Sequence, residues 1–206
     1  MAIDRRAALS LFVAASAFGI DRARATAMRR TAPPDTNMSR RTAYGFSFDA
    51  LEGQTIQLAD FAGHPILIVN TASLCGYTPQ YAGLQELWTR FHDRGLMIIA
   101  VPSNDFGAQE PGGVKDIQET AQHQYGVTFP ITAKQVVRGP DAHPFYKWAA
   151  AERPQDVPHW NFHKYLIGRD GYLAEVFPTE TEPTDTRVIT AIARQLDGAS
   201  QPAQRS

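Results

Sequence analysis

Cysteine is almost absent: Cys75 is the only one in 206 residues. A single thiol excludes an intramolecular disulfide, a Cys-x-x-Cys redox pair and a multi-cysteine zinc site, so any thiol chemistry rests on Cys75 alone. Runs of one charge are missing too. With 20 Lys+Arg against 21 Asp+Glu and a formal charge of −1, the chain lacks the basic cluster that phosphate binding needs, and no nucleic-acid partner is expected. No apolar run reaches the roughly 20 residues of a membrane-spanning helix. No repeat, Gly-rich phosphate loop, Ser-His-Asp pattern or carboxylate pair stands out. What is present, 43% hydrophobic residues with 15 Gly and 14 Pro, is the balance of one globular domain with a core of its own.

The first residues do not read like the rest. Arg5-Arg6 precedes an uncharged, Ala-rich stretch from Ala7 to Ile20, and Ala23-Arg24-Ala25 and Ala25-Thr26-Ala27 each offer an A-x-A cleavage site. That is the layout of a signal peptide, and the paired arginines resemble a twin-arginine export signal. Residues 1–25 are therefore expected to be an export signal and the mature chain periplasmic or otherwise exported; the plainer alternative is an uncleaved amphipathic anchor. Cleavage after Ala25 would remove Arg5, Arg6, Arg22 and Arg24 with only Asp4 and Asp21, leaving a more acidic protein. Residues 26–43, with Pro33-Pro34, read as a flexible lead-in and 199–206 as a disordered tail.

Over 44–198 the pattern is regular. Phe46, Phe48, Ile56 and Leu58 alternate with polar residues around Glu52-Gly53, which predicts a hairpin covering an edge. Pro65 to Ala72 and Leu96 to Pro102 are short apolar runs of the kind buried on both faces of a parallel sheet. Tyr81, Leu84, Leu87, Trp88 and Phe91 recur between them at helical spacing, with Thr78 as the expected N-cap, Pro79 in the first turn and Gly95 as the stop. Val114, Ile117, Ala121 and Tyr125 suggest a second helix, Val127 to Ala133 a third strand and Phe145 to Glu152 a third helix. A hairpin around Arg169-Asp170-Gly171 and a final amphipathic helix marked by Val188, Ile189, Ile192 and Leu196 complete the order. Hairpin, βαβ, αβ, hairpin, helix describes an α/β domain of the thioredoxin-like fold, a central mixed sheet flanked by helices.

Cys75 follows the first buried strand and precedes the helix, where unpaired N–H groups and the helix dipole are expected to favour a thiolate. A small buried core residue is the bland reading of the same position.

Three segments in order shift the balance. NTASLCGYTPQYAGLQELWTRF (Asn70 to Phe91), VPSNDFGAQEPG (Val101 to Gly112) and WNFHKYLIGRDG (Trp160 to Gly171) resemble the three signatures of the glutathione peroxidase family, and the resemblance runs from about Tyr44 to Leu196. It implies a catalytic tetrad of a peroxidatic cysteine, a glutamine, a tryptophan and an asparagine at Cys75, Gln109, Trp160 and Asn161. It also implies a thiol-dependent peroxidase, serving in the response to oxidative stress, that reduces hydrogen peroxide or organic hydroperoxides through a Cys75 sulfenic acid. The residue types suit that chemistry: a thiolate cleaves the O–O bond, and amide and indole N–H groups can stabilise the developing oxyanion without repelling the sulfur. Singly, each has a bland reading: Gln109 as a solvated loop residue, Trp160 as a core aromatic, Asn161 as a turn cap. Phe106, Gly107 and Pro111 are expected to shape the loop.

The chain departs from the family at several points. Many members carry a resolving cysteine in the helix before the V-T-F-P-type strand, and IQETAQHQYGVTFP (Ile117 to Pro130) has none; Ala121 aligns with it, and Ser103 replaces another frequent cysteine. Reductant must therefore come from an external thiol, glutathione or thioredoxin. Asp105 stands where glutamine is usual and is expected to bring an acid near the site. The short stretch from Ala151 to Trp160 lacks the insertion of tetrameric relatives, which favours a monomer.

His64, His92, His123, His143, His159 and His163 look bland, and the i,i+4 pair His159 and His163 runs into a predicted strand, so neither a metal nor a cofactor is expected. Lys134, Arg138 and Lys164 are candidates for steering an acidic thiol such as glutathione. Two alternatives remain. A different thioredoxin-like enzyme would want a Cys-x-x-Cys pair, or, for a peroxiredoxin, Thr or Ser where Ala72 stands. A non-catalytic thioredoxin-fold binding module of the exported compartment would have lost turnover altogether.

Overall fold

The computed structural model describes residues 41–198. The expected signal peptide over 1–25, most of the lead-in over 26–43 and the tail over 199–206 lie outside them.

The two apolar runs become β3 (Ile66–Thr71) and β4 (Met97–Pro102), paired in parallel. The late hairpin becomes β5 (Lys164–Ile167) and β6 (Leu173–Phe177), and β5 runs antiparallel to β3. The mixed sheet is ordered β4-β3-β5-β6. Every residue of β3 is buried, and alternate side chains enter two different cores. Leu67, Val69, Ile98, Ala100 and Leu166 pack with α1 (Gln80–Phe91) and α4 (Thr186–Leu196) through Tyr81, Leu84, Leu87, Val188 and Ile192. Ile66, Ile68, Ile99, Tyr165 and Ile167 pack on the other face with Phe145 and Ala149 of α3 (Pro144–Glu152) and with Phe48. Helices on both faces of a central sheet explain why the β3 and β4 runs show no polar alternation. Each fully buried Leu or Ile contributes about 1.5–3 kcal/mol, so the two cores fix the frame on which the loops are mounted.

The first hairpin, β1 (Ser47–Asp49) and β2 (Thr55–Gln57), pairs Phe48 with Ile56. The strand expected over Val127 to Ala133 is reduced to single bridges, Ile131 to Ala100 in parallel and Thr132 to Ala50 antiparallel. Pro130 has no N–H to donate, so a continuous ladder cannot form there. The segment nevertheless links the hairpin, through Ala50, to the free side of β4, through Ala100. The second helix also differs: α2 spans Val114–Gln118 and continues as π turns over Glu119–Gln124. Ala121 is fully buried within them. Among the described residues no helix is long and apolar enough to cross a membrane.

Candidate active site

Cys75 lies in the turn between β3 and α1 and is only 8% exposed. Thr78 does not cap the helix. Its hydroxyl turns back into the loop, accepting the Cys75 N–H at 3.1 Å and donating to the Ala72 carbonyl at 2.8 Å. A run of tight turns, with Thr78 N–H on the Cys75 carbonyl and Gln80 N–H on the Tyr77 carbonyl, carries the chain into α1 at Gln80. The donor that reaches the sulfur is therefore a turn amide: Tyr77 N–H points at Cys75 Sγ over 3.4 Å. A main-chain N–H in that position suits a sulfur bearing negative charge.

Gln109 sits in the loop after β4. Gly107 (φ 63°) and Ala108 (φ 52°) are left-handed and turn the chain back, so that the Gln109 carbonyl accepts Leu74 N–H at 2.9 Å, one residue before Cys75. Glu110, fully buried, extends this join: its Oε2 accepts Ser73 N–H at 2.9 Å and Ser73 Oγ at 3.1 Å. Three hydrogen bonds thus hold the Gln109 loop against the Cys75 turn. Burial pushes the Glu110 carboxyl above the usual carboxylate range, with the Ser73 donors and the Lys134 charge pulling the other way. Its Oε1 has no partner.

Asn161 is fully buried, and its Nδ2 donates to Gln109 Oε1 at 2.9 Å. That bond occupies the oxygen of the Gln109 amide and leaves Nε2 as its donor end. The turn bearing Asn161 is clamped by Asn70 of β3, whose Nδ2 donates to the Trp160 carbonyl at 3.0 Å and whose carbonyl accepts Phe162 N–H at 2.6 Å. Trp160 is 37% exposed, with its ring centroid 6.0 Å from that of Phe106. A Cβ at position 107 would stand 3.3 Å from Trp160 Cη2; with its positive φ, the position suits glycine on two counts. The structure therefore brings Gln109, Trp160 and Asn161 together, and bonds the Gln109 main chain beside Cys75. Ala108 and Phe162 (φ 64°) are the non-glycine residues with positive φ among those described. One precedes Gln109 and the other follows Asn161, each at a cost of about 1–3 kcal/mol.

Several charged residues are not where the sequence placed them. Lys164 is fully buried and donates from Nζ to the Phe162 carbonyl at 2.6 Å, so it cannot meet a solvent-borne thiol. Lys134 donates to the carbonyls of Glu110 and Gly112. Arg138 alone of the three lies over an aromatic rim, 4.8 Å from the Phe106 centroid. The Asp105 carboxylate is taken up by the N–H groups of Val137 and Arg138, at 2.6 and 3.2 Å, and serves as a loop tie. His159 is exposed while His163 is buried, its imidazole pushed down to about 3 chiefly by burial; the pair shares no face. Among the described residues no three His, Cys, Asp or Glu side chains group as metal ligands would.

Sequence reasoning missed Asn70 and Glu110. Asn70 left a trace, a polar residue inside an apolar strand run, which is an informative signal when it is buried. Glu110 left none, because nothing in a Gly- and Pro-containing loop marks one acid as buried.

A model of the glutathione peroxidase family matches residues 43–150. A hydroperoxy fatty acid reductase of Synechocystis sp. is 44% identical over 160 residues, covering 73% of this chain and 94% of that protein. The chain belongs to the glutathione peroxidase family. A glutathione peroxidase of Lactococcus lactis subsp. cremoris is 41% identical over 145 residues, covering 69% of this chain and 92% of that one. The crystal structure of Trgpx in its apo form matches with a TM-score of 0.63 at 29% identity, covering 78% of this chain and 99% of that one. The fold is thioredoxin-like, and the protein is a thiol-dependent, peroxide-reducing oxidoreductase of the one-cysteine type. A glutathione peroxidase-family chain with its thiol and amides so arranged does not favour the reading as a non-catalytic module.

Proposed function

We propose that Cys75 is the peroxidatic residue and that Gln109, Trp160 and Asn161 supply the donors of its reaction. The thiolate sulfur bonds to one oxygen of the hydroperoxide, the O–O bond breaks, and the departing oxygen takes a proton to leave as water or an alcohol, with Cys75 left as sulfenic acid. One external thiol then displaces water to form a mixed disulfide, and a second thiol releases Cys75 and leaves as disulfide. The observation that carries this is the Asn161–Gln109 bond, which leaves Gln109 Nε2 as a donor on a loop bonded beside the cysteine turn.

Organic hydroperoxides, fatty acid hydroperoxides among them, are the proposed substrates alongside hydrogen peroxide. The name of the Synechocystis relative supports this, as do the apolar Leu74, 66% exposed next to Cys75, and the half-open Trp160. A thioredoxin-type protein is the proposed reductant in preference to glutathione. The same apolar rim suits a protein partner, and two of the three expected steering cations, Lys134 and Lys164, are committed to main-chain carbonyls. Export through the Arg5-Arg6 signal and a monomeric state complete the proposal.

The test is stopped-flow consumption of hydrogen peroxide and of a fatty acid hydroperoxide, with glutathione or thioredoxin, for wild type and Cys75→Ser. Loss of all turnover in the variant, with thioredoxin sustaining the wild type, is the expected result. Equal rates in both proteins would remove Cys75 from the reaction. Mass spectrometry of the periplasmic protein locates the mature N-terminus, and light scattering gives the oligomeric state.

A further inference from the structure

The reading of the chain as a peroxidase leaves one group unexplained. Lys164 is a fully buried cation at the start of β5, and no carboxylate among the described residues lies within ion-pair distance of it. Burying an ammonium without a counter-charge is costly. Burial pulls it down to about 7, while Glu182 and Glu180, both exposed, raise it only through their field. A plain core position would be better filled by leucine.

Lys164 spends its hydrogen bond, at 2.6 Å, on the carbonyl of Phe162, and Phe162 is the residue with φ 64° next to Asn161. A phenylalanine holds that conformation only when its surroundings over-determine it. Here its ring meets Tyr81 edge-on, with centroids 5.3 Å apart, its N–H is held by the Asn70 carbonyl, and its carbonyl is held by Lys164. Loss of the Lys164 bond would remove one of the contacts that hold this turn beside Asn161.

We propose that Lys164 is a positioning residue of the peroxidase: its buried side chain locks the left-handed Phe162 turn and thereby aims Asn161 at Gln109. It touches neither peroxide nor thiol. Its effect on the reaction passes entirely through Asn161.

The inference rests on the peroxidase reading, and its test has one arm that does not. Full-length wild type, Lys164→Met, Asn161→Ala and the double variant are compared in the second-order rate of Cys75 oxidation by hydrogen peroxide and in the rate of Cys75 alkylation by iodoacetamide, which needs no donor for a departing oxygen. Lys164→Met is expected to slow peroxide reduction by about ten- to a hundredfold while alkylation changes by no more than about twofold. In the Asn161→Ala background it is expected to add no more than about twofold, since residues acting through one another are not additive. In the independent arm, the side-chain amide protons of Asn161 in 15N-labelled protein exchange slowly in wild type and fast in Lys164→Met. Should Lys164→Met not fold, Lys164→Gln goes through the same cycle. An equal loss with and without Asn161, a parallel fall in alkylation, or an unchanged Asn161 signal each overturns the proposal. A wild type inert to peroxide with the Asn161 signal still dependent on Lys164 would instead overturn the peroxidase reading and leave the positioning intact.

Discussion

Asn161 donates from Nδ2 to Gln109 Oε1 across 2.9 Å, a bond between two loops 52 residues apart in sequence, and it decides which end of the Gln109 amide is free. Gln109→Glu keeps an acceptor for Asn161 but puts a carboxylate where the donor end was. We expect a folded protein whose peroxide rate constant drops about a hundredfold or more, since a lost donor is joined by a repelling charge. Stopped-flow oxidation beside a thermal melt checks this; an unchanged rate would take Gln109 out of the reaction.

Thr78→Val removes a hydroxyl while keeping the side chain's shape. The Cys75 N–H and the Ala72 carbonyl both lose their partner, and a buried group left unpaired costs about 1–3 kcal/mol. Urea unfolding should show a loss in that range, with slower peroxide reduction, and Thr78→Ser should restore both.

Glu110 couples stability to pH. A carboxyl raised in the folded state binds its proton more tightly folded than unfolded. Its contribution is therefore greatest below the ordinary carboxylate range and is lost as pH climbs through the raised value. Glu110→Gln cannot ionise, so its melting temperature is expected to gain on that of the wild type as pH rises across that window. A constant difference at every pH would show that Glu110 ionises as an ordinary carboxylate. Glu110→Ala, which strands the Ser73 donors, should destabilise by about 1–3 kcal/mol at low pH, with the deficit shrinking across the same window.

Cys75 has no second thiol in the chain to trap its oxidised form. When peroxide is supplied without reductant, intact-mass measurement should follow sulfenic acid into sulfinic acid, with matching irreversible loss of activity. Excess thioredoxin added beforehand is expected to protect.

The sheet and helices α1 and α4 were legible because they rest on local chemistry, apolar runs for β3 and β4 and helical spacing for the helices, while three motifs in order suggested the four residues now proposed for the site. The sequence misled where burial or competing partners, rather than residue type, decide the outcome. Thr78 has the composition of an N-cap, but the Ala72 carbonyl and Cys75 N–H compete for its hydroxyl and win. Lys164 looks like a surface cation because lysine nearly always is one; only the fold places the Phe162 carbonyl within its reach. Val127 to Ala133 has strand composition, yet Pro130 limits it to single bridges.

Ala121 sits inside the π turns of Glu119–Gln124 with no exposure at all, at the position where the family resemblance implies a resolving cysteine in other members. Ala121 and Cys75 belong to the same buried core cluster, and alanine brings no thiol to it. With no second thiol in the chain, regeneration falls to an outside thiol. On the proposed cycle, turnover is expected to rise with the concentration of that thiol.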